Sequence, residues 1–225
     1  MQKIAVIGLG RFGNALAENL ALEGAEVIAI DARPELIGAI KDKVALAVSA
    51  DASDVETLRS LGVGKADVVI VAIGENFEAC QLAMLAARDL EYPRVIARAN
   101  DRIKATILRR LGADEVLMPE EQAALKLSQR LAKPSLLESV DLGSEHSFVQ
   151  VQSPHKTVGK TPLELNLRKG FGLNLVAIKR PALAGKEGAQ ASIIIPGPDT
   201  RMGEGDVLML VGENNSIDRF LREME

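Results

Sequence analysis

Aromatic residues and cysteine are both scarce in this 225-residue sequence. Aromatics make up 3% of the chain and tryptophan is absent, which leaves few side chains on which the bases of single-stranded nucleic acid could stack. Cys80 is the only cysteine, so an intramolecular disulfide and a multi-cysteine metal site are both excluded. We expect Cys80 to be a small buried thiol inside a helix, in a protein of a reducing compartment.

A marked excess of one charge is also lacking. The net charge is −4, from 27 basic and 31 acidic residues, which gives no general attraction to nucleic acid or anionic lipid. No apolar run approaches the roughly 20 residues that a membrane helix needs. The first strand pattern begins at Lys3, which leaves no room for a signal peptide. We therefore expect a cytoplasmic protein that does not bind nucleic acid.

What the sequence does have is a glycine turn between an apolar run and a helical pattern, at residues 4–13. Gly8, Gly10 and Gly13 stand in Gly-x-Gly-x-x-Gly spacing, and Asp31 closes the next apolar run 18 residues after Gly13. In this arrangement Gly8 permits the tight turn, Gly10 lets the backbone approach a phosphate, and Gly13 lets helix and strand pack closely. The acid after the second strand accepts hydrogen bonds from a ribose. The order of elements predicts an adenine-nucleotide site.

The first half of the chain alternates short apolar runs with amphipathic segments, which predicts βαβ units and a Rossmann-like, doubly wound parallel sheet. Gly24, Gly62 and Gly112 follow three of the helical patterns and are expected to end those helices. The predicted strands are 3–8, 26–31, 44–50, 66–73, 94–99 and 115–118. The predicted helices are 12–22, 34–42, 54–61, 77–90 and 102–111, the third with a capping box from Ser53 to Glu56.

The second half predicts a helical connector and then a small α+β domain. A helix is expected over 120–131, followed by a shorter helical stretch at 135–142. Strands are expected at 148–151, 173–178, 191–195 and 206–211, helices at 162–169 and 216–224, and a hairpin-like loop at 181–190. The expected domains are 1–118 for nucleotide binding, 119–142 for connection and dimerisation, and 143–225.

Several side chains near the glycine turn are candidates for contact with the nucleotide. Arg11 lies inside the turn, where a cation is slightly unfavourable against the helix dipole, so a phosphate partner is favoured over a solvated surface role. Asp31 would disfavour a 2′-phosphate on the ribose by repulsion, and Arg33 could soften that effect. Asp51 ends the third strand and is equally consistent with an adenine contact and with a helix cap. Phe12 and Ala52 complete this group.

A second group follows the fourth and fifth strands, at the same edge of the predicted sheet. Ala72, Ile73, Gly74 and Asn76 follow the fourth strand, and the glycine lets the backbone approach a ligand. Arg98 interrupts an apolar strand, so it needs an anion, either a phosphate or a structural acid.

Taken together, several motifs resemble the nucleotide-binding half of the RCK (KTN) proteins, the cytosolic regulators of potassium channels and transporters. They are Gly-Leu-Gly-Arg-Phe-Gly at 8–13, Ala-Asp-Val-Val-Ile-Val-Ala-Ile-Gly at 66–74, Leu-Gly-Ala-Asp-Glu-Val at 111–116 and Pro119-Glu120. The stretch 167–180 resembles the C-terminal domain of that family. The resemblance covers nearly the whole chain. Ala50 departs from it, because the family often has glycine at that position.

This resemblance implies a dimer-built octameric ring that binds ATP, ADP or NAD(H) and controls a membrane potassium channel or transporter subunit at the inner face of the membrane. It implies that Arg11 contacts the γ-phosphate, Asp31 the ribose and Arg98 a phosphate. It also implies a divalent cation, Mg²⁺ or Ca²⁺, at Glu120, although an acid in a first helical turn is equally explained by the helix dipole. By the same resemblance, cyclic di-AMP would bind at Arg168, Asn174, Ile195 and Pro196.

The residues themselves leave one alternative function open, an NAD-dependent oxidoreductase. Such an enzyme needs a general acid or base beside the nicotinamide and a substrate domain. The second domain is small for that purpose, and no histidine, tyrosine or lysine motif follows the fourth or fifth strand in a convincing place. We therefore expect a sensor that is not an enzyme.

Overall fold

The computed structural model describes residues 1–90, 93–182 and 191–225, which divide into two compact units, Met1–Ala123 and Ala124–Glu225. The first unit is built on a parallel sheet of six strands in the order β3-β2-β1-β4-β5-β6. The strands are β1 (Lys3–Ile7), β2 (Glu26–Asp31), β3 (Leu46–Ser49), β4 (Val68–Val71), β5 (Arg94–Arg98) and β6 (Glu115–Leu117). The strand order reverses between β1 and β4, so a crevice opens there at the carboxyl ends of the strands.

Helices connect these strands, and two apolar clusters form the core of the unit. The helices are α1 (Arg11–Leu22), α2 (Pro34–Ile40), α3 (Val55–Ser60), α4 (Phe77–Arg88) and α5 (Arg102–Arg110). Gly24, Gly62 and Gly112 have φ values of 88°, 77° and 97°, which confirms their predicted use after three helices. Helix α6 (Pro119–Ala132) follows β6 and buries none of its side chains. The Rossmann-like fold predicted from the sequence is confirmed.

The second unit is an antiparallel sheet of five strands in the order β10-β9-β11-β8-β7, with a helix packed against it. The strands are β7 (Leu136–Gly143), β8 (His146–Gln152), β9 (Asn174–Arg180), β10 (Ser192–Ile194) and β11 (Val207–Glu213), and the helix is α7 (Asn214–Met224). This is the α+β domain that the sequence predicted. Most of the predicted hairpin-like loop at 181–190 lies outside the described residues.

The helical stretch predicted for 135–142 is wrong, because these residues form strand β7. Leu136 pairs with Val151 and Val140 with Phe148, and the chain turns tightly through Ser144, which has a φ of 51°. Pairing with β8 therefore decides the conformation of a segment whose apolar spacing also suits a helix.

The helix predicted for 162–169 is also wrong. Its capping box forms, since Glu164 accepts from the backbone N–H of Thr161 at 2.7 Å and returns its own N–H to the Thr161 hydroxyl at 3.2 Å. Asn166 then adopts a left-handed conformation, with φ 51°, and the chain continues as a π-helical turn, Leu167–Phe171. A good start signal does not by itself extend a helix.

Cys80 lies on α4 and is buried, as the sequence predicted, and burial raises the pKa of its thiol to about 11. We expect Cys80 in the native protein to react with an aromatic disulfide at least about a hundredfold more slowly than in urea-unfolded protein, because thiolate and access are both reduced. The colour released on reaction measures the rate. The control is Cys80→Ser combined with Ser139→Cys, which moves the thiol to exposed strand β7. Equal rates for the native protein and this control would contradict the burial of Cys80.

Candidate nucleotide-binding site

The glycine turn after β1 is packed so closely that two of its glycines have no room for a side chain. Gly8 has a φ of 95°, and a Cβ there would lie 2.8 Å from Ile73 Cγ1 and 2.9 Å from the Ile73 nitrogen. A Cβ on Gly13 would overlap the Gly8 carbonyl oxygen and lie 3.0 Å from the Gly8 carbonyl carbon. A Cβ on Gly10 would meet nothing within 4 Å. Gly8 and Gly13 therefore shape the turn, while Gly10 faces open space on the side that a ligand would use.

The N-terminus of α1 opens into that same space. Gly10 is the N-cap residue and supplies no side-chain cap, and the first turn of the helix contains no acid. Its early backbone N–H groups and the positive end of the helix dipole are therefore available to an anion. Arg11 is exposed on this turn and makes no ion pair within the described ranges. The terminus thus fits the pyrophosphate of a nucleotide, with a guanidinium beside it.

Asp31 is only 8% exposed and is held by three N–H groups at the end of β2. Its Oδ2 accepts from the Leu9 backbone N–H at 2.7 Å, and its Oδ1 accepts from the Arg33 backbone N–H at 2.9 Å and from Arg33 Nε at 3.2 Å. Burial raises the pKa of this carboxyl, but the bonds from the Arg33 side chain and from the two backbone groups outweigh it and hold the pKa below its ordinary value. Asp31 is therefore an anion that ties β2 to the glycine turn.

Asp51 makes a local turn and does not cap α3. Its Oδ1 accepts from the Ser53 backbone N–H at 2.9 Å and from the Ser53 hydroxyl at 2.7 Å, and these bonds lower the pKa of its exposed carboxyl. The cap of α3 is Asp54, which accepts from the N–H groups of Glu56 and Thr57, so the predicted capping box at Ser53 is wrong. Ala52 is buried in the core below this edge and acts there through packing.

The loop after β4 lies against the glycine turn, on the other side of the crevice. Ala72 is buried, and Ile73 is the residue that leaves Gly8 no room for a Cβ. Gly74 lies under the Arg98 guanidinium, since a Cβ on Gly74 would be 2.6 Å from Arg98 Nη1. Asn76 caps α4 by accepting from the Ala79 backbone N–H at 3.1 Å. The backbone of this loop therefore lies close to the glycine turn across the crevice.

Arg98 connects three predicted motifs that are distant in sequence. Its guanidinium carbon lies 5.5 Å from the centre of the Phe12 ring, and its Nη2 donates to Glu120 Oε1 at the start of α6. Its Nε is buried and finds no acceptor among the described residues. Of the two anions considered for Arg98, the structural acid is present, in the form of Glu120. The unpaired Nε leaves capacity for a further acceptor.

Glu120 is an exposed carboxylate, and a metal ion bound to it would need further ligands from outside this chain. Its own backbone N–H lowers the pKa most, partial burial opposes this, and Arg98 lowers it further, so the pKa lies below the ordinary value. In the part of the chain that is described, no group of three or more histidine, cysteine, aspartate or glutamate side chains is placed to hold a metal. A cation at Glu120 would need ligands from a nucleotide or from a second copy.

The second unit contains an open cavity of about 380 Å³, beside the π-helical turn. Three of the four residues predicted for a second ligand, Arg168, Asn174 and Pro196, are among those that line it. Ile195 is 76% exposed and does not line it. The walls are otherwise mainly apolar, with Leu163 and Leu175 among them.

Two contributors to the first site were missed by sequence reasoning. The Leu9 backbone N–H binds Asp31, and a backbone contact leaves no side-chain signal in the sequence. Glu75 follows Gly74, and its negative charge joins that of Asp31 in raising the pKa of Arg33. An acid directly after the glycine of a ligand-facing loop was the available signal.

The strand order, the glycine turn and the buried acid at the end of β2 together define a Rossmann-type domain with an anion-receptive helix terminus, joined in sequence to a separate antiparallel α+β domain. The TrkA-N domain matches residues 4–119 and the TrkA-C domain matches residues 147–225. The chain belongs to this family, the RCK (KTN) proteins, as its motifs indicated.

Individual relatives match over the full length of the chain. The Ktr system potassium uptake protein A of Bacillus subtilis is 32% identical over 222 residues, 99% of this chain and 96% of that relative. The Ktr system potassium uptake protein C of the same organism is 33% identical over 219 residues, 97% of this chain and 96% of the relative. Among solved structures, the GsuK channel bound to NAD is 27% identical with a TM-score of 0.52, and covers all of this chain, which spans 38% of that protein.

Proposed function

We propose that this chain is a regulatory subunit of a potassium channel or transporter, and that it senses adenine nucleotides at the carboxyl edge of its parallel sheet. Relatives that match along nearly its whole length include potassium uptake proteins of the Ktr system, and a matching channel structure carries NAD. In the described ranges no helix has the length and apolar content needed to cross a bilayer. The proposed place of action is the cytoplasmic face of the membrane, through a membrane-embedded partner.

The observation that carries the proposal is the uncapped N-terminus of α1 with Arg11 on its first turn. ATP and ADP differ by one phosphate, so only contacts to that phosphate can make one of them favour a different conformation of the protein. A guanidinium can bind that phosphate with two charge-assisted hydrogen bonds. Arg11 is therefore the proposed γ-phosphate contact, with Asp31 at the ribose and Asp51 and Ala52 on the adenine side.

We expect Arg11→Ala to bind ATP and ADP with similar affinity, because it removes the contact that distinguishes them, and to lose about tenfold in affinity for ATP. Isothermal titration calorimetry with both nucleotides measures this change. The control is Arg59→Ala, which removes an exposed guanidinium paired with Glu56 on α3. An ATP/ADP preference that is unchanged by Arg11→Ala would contradict the role of Arg11.

The proposed assembly is a homodimer that builds an octameric ring. Helix α6 supports an interface between copies, because it buries none of its side chains and exposes Leu125, Leu127 and Leu131. The division into residues 1–118, 119–142 and 143–225 is kept as part of this proposal, with the connector taking part in dimerisation. Light scattering at several protein concentrations measures the number of subunits.

Two further ligands belong to the proposal. Mg²⁺ or Ca²⁺ would bind at Glu120 between protomers, where carboxylate oxygens suit a hard cation. Cyclic di-AMP would occupy the cavity of the second unit, with Arg168 offered to its phosphates and Asn174, Ile195 and Pro196 around it.

We propose that the chain does not catalyse a reaction. The polar groups that meet at the crevice fix backbone segments: Asp31 holds Leu9, Asn76 caps α4 and Arg98 binds Glu120. An NAD-dependent oxidoreductase is the alternative, and a change of nicotinamide absorbance with a series of alcohols would reveal it.

A further inference from the structure

The hydrogen-bonding capacity of Asp31 is almost used up by the protein itself. A carboxylate offers about four lone-pair positions, two on each oxygen. In the chain, Oδ1 accepts two N–H groups of Arg33 and Oδ2 accepts the N–H of Leu9. One position therefore remains, on Oδ2.

A ribose with free 2′- and 3′-hydroxyls brings two donors to this carboxylate. Two donors do not fit into one position, so the ribose competes with a group already bound. The two backbone N–H groups are fixed by the glycine turn and by the start of α2. The Arg33 side chain is 53% exposed, and its Nε makes the longest of the three contacts to Asp31, at 3.2 Å. The Arg33 guanidinium is the donor that must move.

The displaced guanidinium stays beside the ribose, because the backbone N–H of Arg33 is still bound to Asp31. At the place where a 2′-phosphate would lie, the positive charge of Arg33 balances the negative charge of Asp31. A site with the acid alone would repel that phosphate, while an arginine next to it supplies bidentate hydrogen bonds. Glu75, in the loop after β4, and Glu35, on α2, add negative charge that helps to raise the pKa of Arg33.

We propose that Arg33 is a specificity-determining residue, which makes the ribose position of this chain tolerant of a 2′-phosphate. Adenine dinucleotides that are phosphorylated at the 2′-hydroxyl, of which NADPH is the available probe, then bind alongside unphosphorylated ones. The inference deepens the proposed function and rests on it, since it concerns the same nucleotide site. It also reverses the simpler expectation that Asp31 excludes such ligands.

The experiment is a titration of the full chain with NADH and NADPH, by calorimetry and by nicotinamide fluorescence, with ATP as a third ligand. In the wild type, the two dissociation constants are expected to lie within about tenfold of each other. In Arg33→Gln, the ratio of the NADPH constant to the NADH constant is expected to rise at least about tenfold, because the phosphate loses its cation and the ribose hydroxyls gain a free acceptor. Both effects shift the ratio in the same direction.

Two variants separate this role from a general loss of charge. Arg33→Lys keeps the cation and is expected to retain much of the wild-type tolerance of NADPH. Arg59→Gln removes a guanidinium of similar exposure on α3 and is expected to leave the ratio unchanged.

A ratio that Arg33→Gln leaves unchanged would overturn the inference. So would a wild type that binds NADH but rejects NADPH, and in that case the proposed nucleotide sensing would stand. If NADH, NADPH and ATP all fail to bind the folded wild-type chain, the proposed function falls together with this inference.

Discussion

Gly13→Ala is expected to lower the free energy of unfolding by about 3 kcal/mol and to abolish nucleotide binding. At an ordinary position inside a helix, alanine in place of glycine raises stability by about 0.5–1 kcal/mol. At Gly13 the added methyl would overlap the Gly8 carbonyl oxygen, a backbone atom that moves only if the whole turn moves. Urea denaturation followed by far-UV circular dichroism measures the sign and the size of the change.

Gly10→Ala is the matched control in the same turn. Gly10 has a φ of −62°, which alanine adopts readily, and no atom lies within 4 Å of the added Cβ. Its free energy of unfolding is expected to stay within about 1 kcal/mol of the wild type, because the main loss is that of a glycine N-cap. Nucleotide binding should still weaken, since the methyl points to the ligand side. A Gly13→Ala protein as stable as the wild type would contradict the close contact between α1 and the glycine turn after β1.

Arg180→Ala is expected to destabilise the second unit by about 3 kcal/mol at pH 7, because it leaves a buried carboxylate without its cation. The Asp206 side chain is 1% exposed, and it accepts from Arg180 Nε at 2.9 Å, from Arg180 Nη2 at 2.7 Å and from the Gly203 backbone N–H at 2.7 Å. Removing one partner of a buried ion pair usually costs about 3–5 kcal/mol, and the lower end of that range applies because the Arg180 side chain is itself 41% exposed. Lys133→Ala, which breaks an exposed pair with Asp218, is the control and should cost less than about 1 kcal/mol.

The difference in free energy of unfolding between the wild type and Arg180→Ala depends on pH through the Asp206 carboxyl. Burial raises its pKa, but Arg180 and the Gly203 N–H outweigh burial and hold the pKa below its ordinary value of 3.8. The wild type therefore keeps this stabilisation above about pH 4 and loses it as the pH falls through the lowered pKa. Without Arg180 the pKa rises, so the variant recovers stability by protonation at a higher pH. Denaturation at pH 7 and pH 4.5 should show that the wild type and Arg180→Ala differ less in free energy of unfolding at pH 4.5. An equal difference at both pH values would contradict this assignment.

The parallel sheet was predictable from sequence because its central strands β1, β2 and β4 are buried on both faces and three of its helices end before glycines. Strand β1 and the turn to α1 follow from Gly8 and Gly13, whose positions leave no space for another residue. The second unit was less predictable, because Leu136 and Val140 satisfy the spacing of a helix as well as that of a strand. Only pairing with Val151 and Phe148, which come after a turn, decides between the two.

The residues of the candidate site also fall into those that the sequence predicted and those that it did not. Asp31 and the glycines were predictable because the backbone geometry requires particular residue types at fixed spacing. The partners of Arg98 were not, since Phe12, Gly74 and Glu120 come from three different segments and meet only when the sheet is complete. The cap of α3 was misplaced by one residue, because Ser53 and Asp54 are both good caps and the choice depends on the turn that Asp51 makes.

The buried Nε of Arg98 gives the molecule an internal spectroscopic probe. The Nε–H protons of solvated arginines exchange with water too quickly to give sharp nuclear magnetic resonance signals, whereas that of Arg98 is shielded from solvent. Its ¹⁵N-correlated signal should therefore persist at neutral pH, apart from the crowded amide region. Since this N–H has no acceptor within the described residues, any oxygen brought close to it will change its chemical shift. Titrations of the uniformly ¹⁵N-labelled wild-type protein can thus be followed at one atom of the crevice, without a substitution.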